Sequence, residues 1–295
     1  MPIRKKAWVE QLLTKRAAIE HAVGMSLGRM LGCGHWGCVF ESEPPWVVKL
    51  SIDPTEGPIW SKIMGLIGEE QYGDGGFPEI RIIRRIMPDL VTGGRNRKVW
   101  AIVREGIEPV FKEYRAKELG HHGGGTMIAT SEYTNAKLGL HTPTRPTSVR
   151  VAPGQKPWER SSFDTAISGL MTYREAATAW HVLGSHPRSH RQHEIRDYYK
   201  HELGFSSPED AGHKALRITE TKFDGPAWAP LGESLAMLAS NGVYLRDVHF
   251  LNIGWHIARD DDDWDRVVIF DPGHTPTAGG GDIETVLVEE GREAL

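Results

Sequence analysis

Between Asn241 and His256 the chain reads NGVYLRDVHFLNIGWH, an apolar run in which Arg246, Asp247 and Asn252 sit among Val243, Leu245, Val248, Phe250, Leu251 and Ile253. Charged and amide groups are expensive to bury unless they are paired, hydrogen-bonded or bound to a metal. Any fold for this chain must therefore bring partners to those three side chains. Downstream, DRVVIFDPGHT runs an apolar strand pattern straight into Asp271, with Pro272 and Gly273 behind it. An aspartate at that point can face a metal or cap a turn. Magnesium prefers hard oxygen ligands, commonly one or two from protein beside phosphate oxygens, and Asn252 with Asp271 could supply them.

The length, 295 residues, suffices for one large domain or two lobes with a core each. No uninterrupted apolar run approaches the roughly 20 residues of a membrane span. The opening MPIRKKAWVEQLLTKRAAIEHAV is basic, but acids interrupt it before a signal-peptide core could form. It reads as an amphipathic helix with Trp8, Leu12, Leu13, Ile19 and Val23 on one face. The expectation is a cytoplasmic protein with no membrane partner. A formal net charge of −4 argues against a general nucleic-acid partner, which calls for a basic stripe. The two cysteines, Cys33 and Cys38, make neither a disulfide framework nor a zinc set. They read as small residues suited to a turn, with a regulatory thiol as the alternative.

The chain divides into three regions: an N-terminal helix over 1–24, a small mixed lobe over 25–105 and a larger, helical part over 106–295. In the second, short strands flank a glycine cluster, the turn ESEPP leads to the strand WVVKL, and a helix starts from about Glu56. EIRIIRRI and RKVWAIVRE, joined by TGGRN, form a further hairpin. Beyond 106, the Gly-, Thr- and Pro-rich stretch from Leu119 to Glu159 reads as extended loop. Helices then cover SSFDTAISGLMTYREAATAWHVLG, RQHEIRDYYKHELG and roughly 230–241.

GCGHWGCV fits G-x-G-x-x-G-x-V through Gly32, Gly34, Gly37 and Val39. Glycines let a backbone approach phosphates and present its N–H groups. A dinucleotide-binding fold would need a helix directly afterwards, whereas this cluster leads into a strand pattern. In that strand, Lys49 stands among apolar residues. It either snorkels to water or points inward to grip phosphate, and an inward lysine needs a carboxylate. Glu56 heads the next helix; Glu69 and Glu70 are alternatives.

Taken in order, GCGHWGCV, VVKL, LRDVHFLN and DPG resemble the signature set of the protein-kinase superfamily. The likeness is anchored over 25–60, 98–107 and 230–274. It implies an α+β, two-lobed kinase-like fold with a small antiparallel-sheet N-lobe and a mostly helical C-lobe. It also implies that ATP and Mg2+ are bound, with a protein or small-molecule hydroxyl as acceptor. Gly32, Gly34, Gly37 and Val39 would cover the nucleotide, with Lys49 on its phosphates and paired with Glu56. Adenine would meet the segment around Glu105. Lys49, Arg246, Asp247 and His249 would form the catalytic set, and Asn252 and Asp271 would hold magnesium.

The sequence also departs from the superfamily pattern. Leu245 replaces the usual histidine of the catalytic loop. His249 replaces a lysine, in the manner of aminoglycoside- and choline-type phosphotransferases. Pro272 replaces the phenylalanine of D-F-G. The interval from Lys49 to Glu56 is short, and the stretch from Gly273 to Leu295 is too short for the usual peptide-binding subdomain. The acceptor platform is therefore expected within 106–230, and a nucleotide-sensing pseudokinase or scaffold is the non-enzymatic alternative. His121, His122, His141, His186, His190, His193 and His201 show no metal-ligand spacing. RDDDDWD, 259–265, reads as a water-exposed turn, and Arg188, Arg191 and Arg196 as a wet helix face.

Overall fold

The computed structural model describes residues 7–34, 36–67, 75–92, 95–115, 126–140, 159–259 and 264–273. They form a mixed α and β protein with antiparallel strand pairing and, among these residues, eight α-helices. The described residues fall into two compact units. One draws on the described residues of 7–66 and 81–104 with Gly273, the other on those of 67–80 and 105–272.

The first unit opens with α1 (Ala7–Leu13) and α2 (Arg16–Val23). A single helix was expected; a turn at Thr14–Lys15 divides it, and α2 stops at Gly24, whose φ of 63° suits glycine. Next comes a five-stranded sheet: β1 (Met30–Cys33), β2 (Gly37–Glu41), β3 (Trp46–Ser51), β4 (Ile80–Thr92) and β5 (Arg95–Glu105), in the order β1-β2-β3-β5-β4. Strand alternation sends Cys38, Phe40, Val48, Leu50, Val99, Ala101 and Val103 to one face. There they pack with Val9, Leu12, Ile19 and Val23 of α1 and α2 in one buried cluster. The apolar faces of α1 and α2 thus form part of this unit's core.

Lys49 and Trp100 point to the other face, which α3 (Glu56–Ile67) covers. A Cβ on Gly57 would fall 2.1 Å from the Trp100 ring, so only glycine lets the first turn of α3 lie on the indole. Cys33 and Cys38 stand opposite each other in the β1–β2 register and are joined as a disulfide, a pairing that the sequence reading did not foresee. The register, not the spacing, brings them together.

The second unit contains β6 (Glu108–Pro109), β7 (Phe111–Arg115), β8 (Thr126–Thr130), α4 (Glu132–Lys137), α5 (Arg160–Gly184), α6 (His190–Asp197), α7 (Pro208–Lys222), α8 (Ala229–Ser240), β9 (Ile253–His256) and β10 (Arg266–Ile269). β7 pairs with β8, and β10, β9 and β6 make a three-stranded sheet. β8 and α4 correct the expectation of continuous loop from Leu119. Thr126–Thr130 becomes a strand because it finds a partner in β7, and Ser131 caps α4 by accepting the Thr134 N–H. The sequence reading also missed α7, although Ser207 accepts the Asp210 N–H at 3.1 Å and Pro208 occupies its first turn.

The segment before β4 is stitched into this unit. The Gly76 N–H donates to Ser234 Oγ at 2.8 Å, the Ile269 N–H donates to the Gly76 carbonyl at 2.9 Å, and the buried Arg266 donates to the Gly75 carbonyl at 3.2 Å. Residues 75–80 thus group with the second unit. Among the described residues no helix is long and apolar enough to cross a membrane.

Candidate functional site

In the first unit the site grows from β3. Lys49 lies opposite Val39 in the β2–β3 register, so the two share a face. After Ser51 the chain turns at once into α3: Asp53 Oδ1 accepts the Thr55 N–H at 2.8 Å, and Glu56 is the first helical residue. That immediate turn is how an interval of only seven residues suffices. Lys49 Nζ lies 2.5 Å from Glu56 Oε1, with side chains 8% and 2% exposed. Glu69 and Glu70 lie outside the described residues.

The three glycines do different work. A Cβ on Gly37 would come 3.0 Å from Lys49 Cε and 3.1 Å from the Leu50 carbonyl, so Gly37 makes room for the lysine stem. A Cβ on Gly32 would meet nothing within 4 Å, and one on Gly34 only the Gly37 carbonyl at 3.8 Å. Neither has a positive φ. Protein packing therefore does not require glycine at 32 or 34; the bare backbone there leaves open space. The Gly34 N–H is spent within the turn, donating to the Gly37 carbonyl at 2.8 Å.

In the second unit, Gly242 (φ 70°) ends α8, and the Val243 N–H returns to the Leu238 carbonyl at 2.8 Å. Leu245 and Val248 are fully buried, which leaves the intervening Arg246 and Asp247, and His249 beyond, only partly covered. The apolar residues of the opening stretch thus anchor the loop, and the polar ones reach its surface. Asn252 donates through Nδ2 to the Asp247 carbonyl at 2.8 Å, which turns its Oδ1 away from that bond. His249 accepts the Leu251 N–H on Nδ1 at 3.2 Å, so a neutral ring carries its proton on Nε2. That Nε2 lies 3.4 Å from Asp247 Oδ1. The Phe270 N–H donates to the Asn252 carbonyl at 3.0 Å, continuing the Ile253–Ile269 register. Asp271 is therefore the residue after the ladder partner of Asn252. The charge of Arg246 is felt at His181 and Tyr199.

Glu105 is 3% exposed and held by the protein itself: His256 Nδ1 lies 2.6 Å and Arg259 Nη2 2.9 Å from its carboxylate. Burial alone would raise this carboxyl; the hydrogen bond and charge of His256, with Arg259, outweigh it and keep the group below the usual range. Its N–H donates to the Glu79 carbonyl at 2.9 Å. The Glu105 side chain is thus committed inside the second unit.

Asp265 is another departure. The acidic turn was read as water-exposed, yet Asp265 accepts the Tyr133 hydroxyl at 2.6 Å, pairs with the buried Lys137 and accepts the Ala258 N–H at 2.9 Å. Residues 260–263 lie outside the described set. His186, His190, His193 and His201 are exposed, as are Arg188 and Arg191, and Arg196 donates to the Ser185 carbonyl at 3.3 Å. Among the described residues no group of three or more His, Cys, Asp or Glu could hold a metal; His121, His122 and His141 fall outside them. Within 106–230, a cavity of about 370 Å3 opens beside Phe163, Asp224 and Trp228.

Compared with known proteins, the chain matches no family model, and no curated protein is similar to it in sequence.

Proposed function

We propose that this chain is an ATP- and magnesium-dependent phosphotransferase with a two-lobed, protein-kinase-like fold. The observation that carries the reading is the buried Lys49–Glu56 pair. Buried ion pairs are poor sources of stability, because desolvation offsets much of their attraction. A lysine held inward on a strand by a glutamate on the next helix is the arrangement that phosphate gripping needs. The open space over Gly32 and Gly34 fits a phosphate chain, and Val39 stands beside Lys49 on the same face. The donor set also fits a hard cation: Asp271 offers carboxylate oxygens, and Asn252 an amide oxygen left over from its bond to the Asp247 carbonyl.

On this reading Lys49 holds the α/β-phosphate oxygens, and the backbone near Glu105 meets adenine. Asp247 orients the acceptor hydroxyl and takes its proton as the acceptor oxygen bonds to the γ-phosphorus. The bond from that phosphorus to the β–γ bridging oxygen breaks, and ADP leaves with that oxygen. His249 steadies the Asp247 carboxylate through Nε2–H. Magnesium, held by Asn252 and Asp271, would neutralise phosphate charge. A protein Ser/Thr is the preferred acceptor, because Arg246-Asp247 and the strand lysine resemble that branch; a small-molecule hydroxyl is the second, favoured by His249 and the short stretch after Asp271.

Incubation with γ-labelled ATP tests this, with casein, choline and an aminoglycoside offered as acceptors. Magnesium-dependent label in protein supports the first acceptor class, and soluble labelled product the second. Asp271→Ala should abolish transfer while the circular-dichroism spectrum stays that of the wild type. ATP binding with neither transfer nor hydrolysis would indicate a nucleotide sensor, and absence of ATP binding would overturn the proposal.

A further inference from the structure

The catalytic-loop histidine that the resemblance calls for is Leu245 here, but a histidine reaches the loop from elsewhere. His181, on α5, brings Nε2 to 2.8 Å from the Tyr244 carbonyl. A carbonyl only accepts, so Nε2 carries the proton and the ring donates. The tyrosine is fixed through its side chain as well. Its ring lies 4.7 Å from that of Trp180, and Gly212 of α7 makes room for it, since a Cβ there would come 2.6 Å from the Tyr244 hydroxyl. The next residue, Leu245, is fully buried, as is Tyr173 of α5.

Two adjacent residues of α5 thus hold Tyr244, Trp180 at its ring and His181 at the peptide that joins it to Leu245. The hydrogen bond from His181 fixes the plane of that peptide, two residues before Asp247. α5 does not need this bond in order to pack: Phe163, Ala166, Leu170, Ala177 and Leu183 already supply its buried stripe.

We infer that His181 is the positioning residue of the 245–252 loop, setting from α5 the backbone on which the Asp247 carboxylate is aimed. The inference rests on the phosphotransferase reading of Asp247. His181 does not meet substrate; it acts through the Tyr244 carbonyl. Burial pushes the ring down to about 4, against the opposing pull of the Tyr244 bond and with help from the Arg246 charge. It therefore stays a neutral donor at assay pH. Loss of the bond frees the peptide plane, and misplacement of a catalytic group by about 1 Å can lower turnover by about a hundredfold.

The test uses the full-length chain, magnesium-ATP and the labelled-acceptor assay. His181→Leu keeps volume without a donor, whereas His181→Gln keeps an N–H at similar reach. The leucine variant should lose about tenfold or more in kcat, with KM for magnesium-ATP within about twofold of wild type, and glutamine should restore most of the loss. If the leucine variant does not fold, His181→Asn, polar but too short, takes its place in the comparison with glutamine. A folded leucine or asparagine variant with wild-type kcat overturns the inference, as does equal loss in the glutamine variant. Wild-type protein that transfers no phosphate overturns the phosphotransferase reading itself, and this inference with it; no variant is needed to see that result.

Discussion

Removing the Glu56 carboxylate takes an ion-pair partner from Lys49, whose side chain is only 8% exposed. Glu56→Gln should therefore lower stability by on the order of 3 kcal/mol, read as a lower urea midpoint. On the proposed reading it should weaken magnesium-ATP binding as well. The glycines give a sharper contrast. Gly37→Ala presses on the Lys49 stem, which can yield, and on the Leu50 carbonyl, which cannot, so it should lower stability and, on the proposed reading, weaken nucleotide binding. Gly32→Ala meets only open space, so the free protein should melt as wild type does. Isothermal titration with magnesium-ATP checks both; weakened binding by Gly32→Ala without a stability change would mean that its open space is used by ligand. That Lys49 needs a carboxylate was legible in the sequence, because a lysine amid WVVKL has few other fates. That Gly37 serves the lysine was not, since the clash exists only once β2 lies beside β3.

At the scale of elements, the strands and helices with strong local patterns were readable: β3 from its apolar run, α5 and α8 from periodicity and terminal signals. β8 was not, because its threonines become a strand only through pairing with β7. Asp265 was misread for a related reason. Its partners Tyr133 and Lys137 lie more than a hundred residues away in sequence, on α4. Burial would raise its carboxyl, but the Lys137 and Tyr133 bonds hold it below the usual range. The support that α5 gives to the loop makes a pH prediction. An unfolded histidine takes a proton near pH 6.5, the folded His181 only near 4. Between those values the unfolded chain binds more protons, so stability should fall as pH drops from about 6.5 to 4. Urea titrations over that window should show a flatter pH dependence for His181→Leu than for wild type; identical curves would remove His181 as the source.

For the whole molecule, the expected signature is stabilisation by ligand. A ligand at a hundred times its Kd adds about 2.7 kcal/mol to a protein that binds it only when folded. Thermal melts should therefore rise with magnesium-ATP more than with ATP in EDTA, and Asp271→Ala should remove the magnesium increment; equal shifts in both would take Asp271 out of metal binding. Residues 75–80 carry no local mark of their membership, because it lies in backbone bonds to Ser234, Arg266 and Ile269.

The ladder between β9 and β10 runs on to the bond from the Phe270 N–H to the Asn252 carbonyl, so Asp271 follows one residue beyond the rung of Asn252. That offset is a matter of counting rungs, set by the backbone alone. A short reporter peptide inserted between Arg259 and Trp264, at the other end of the two strands, should leave the count unchanged and so offers a handle on this protein.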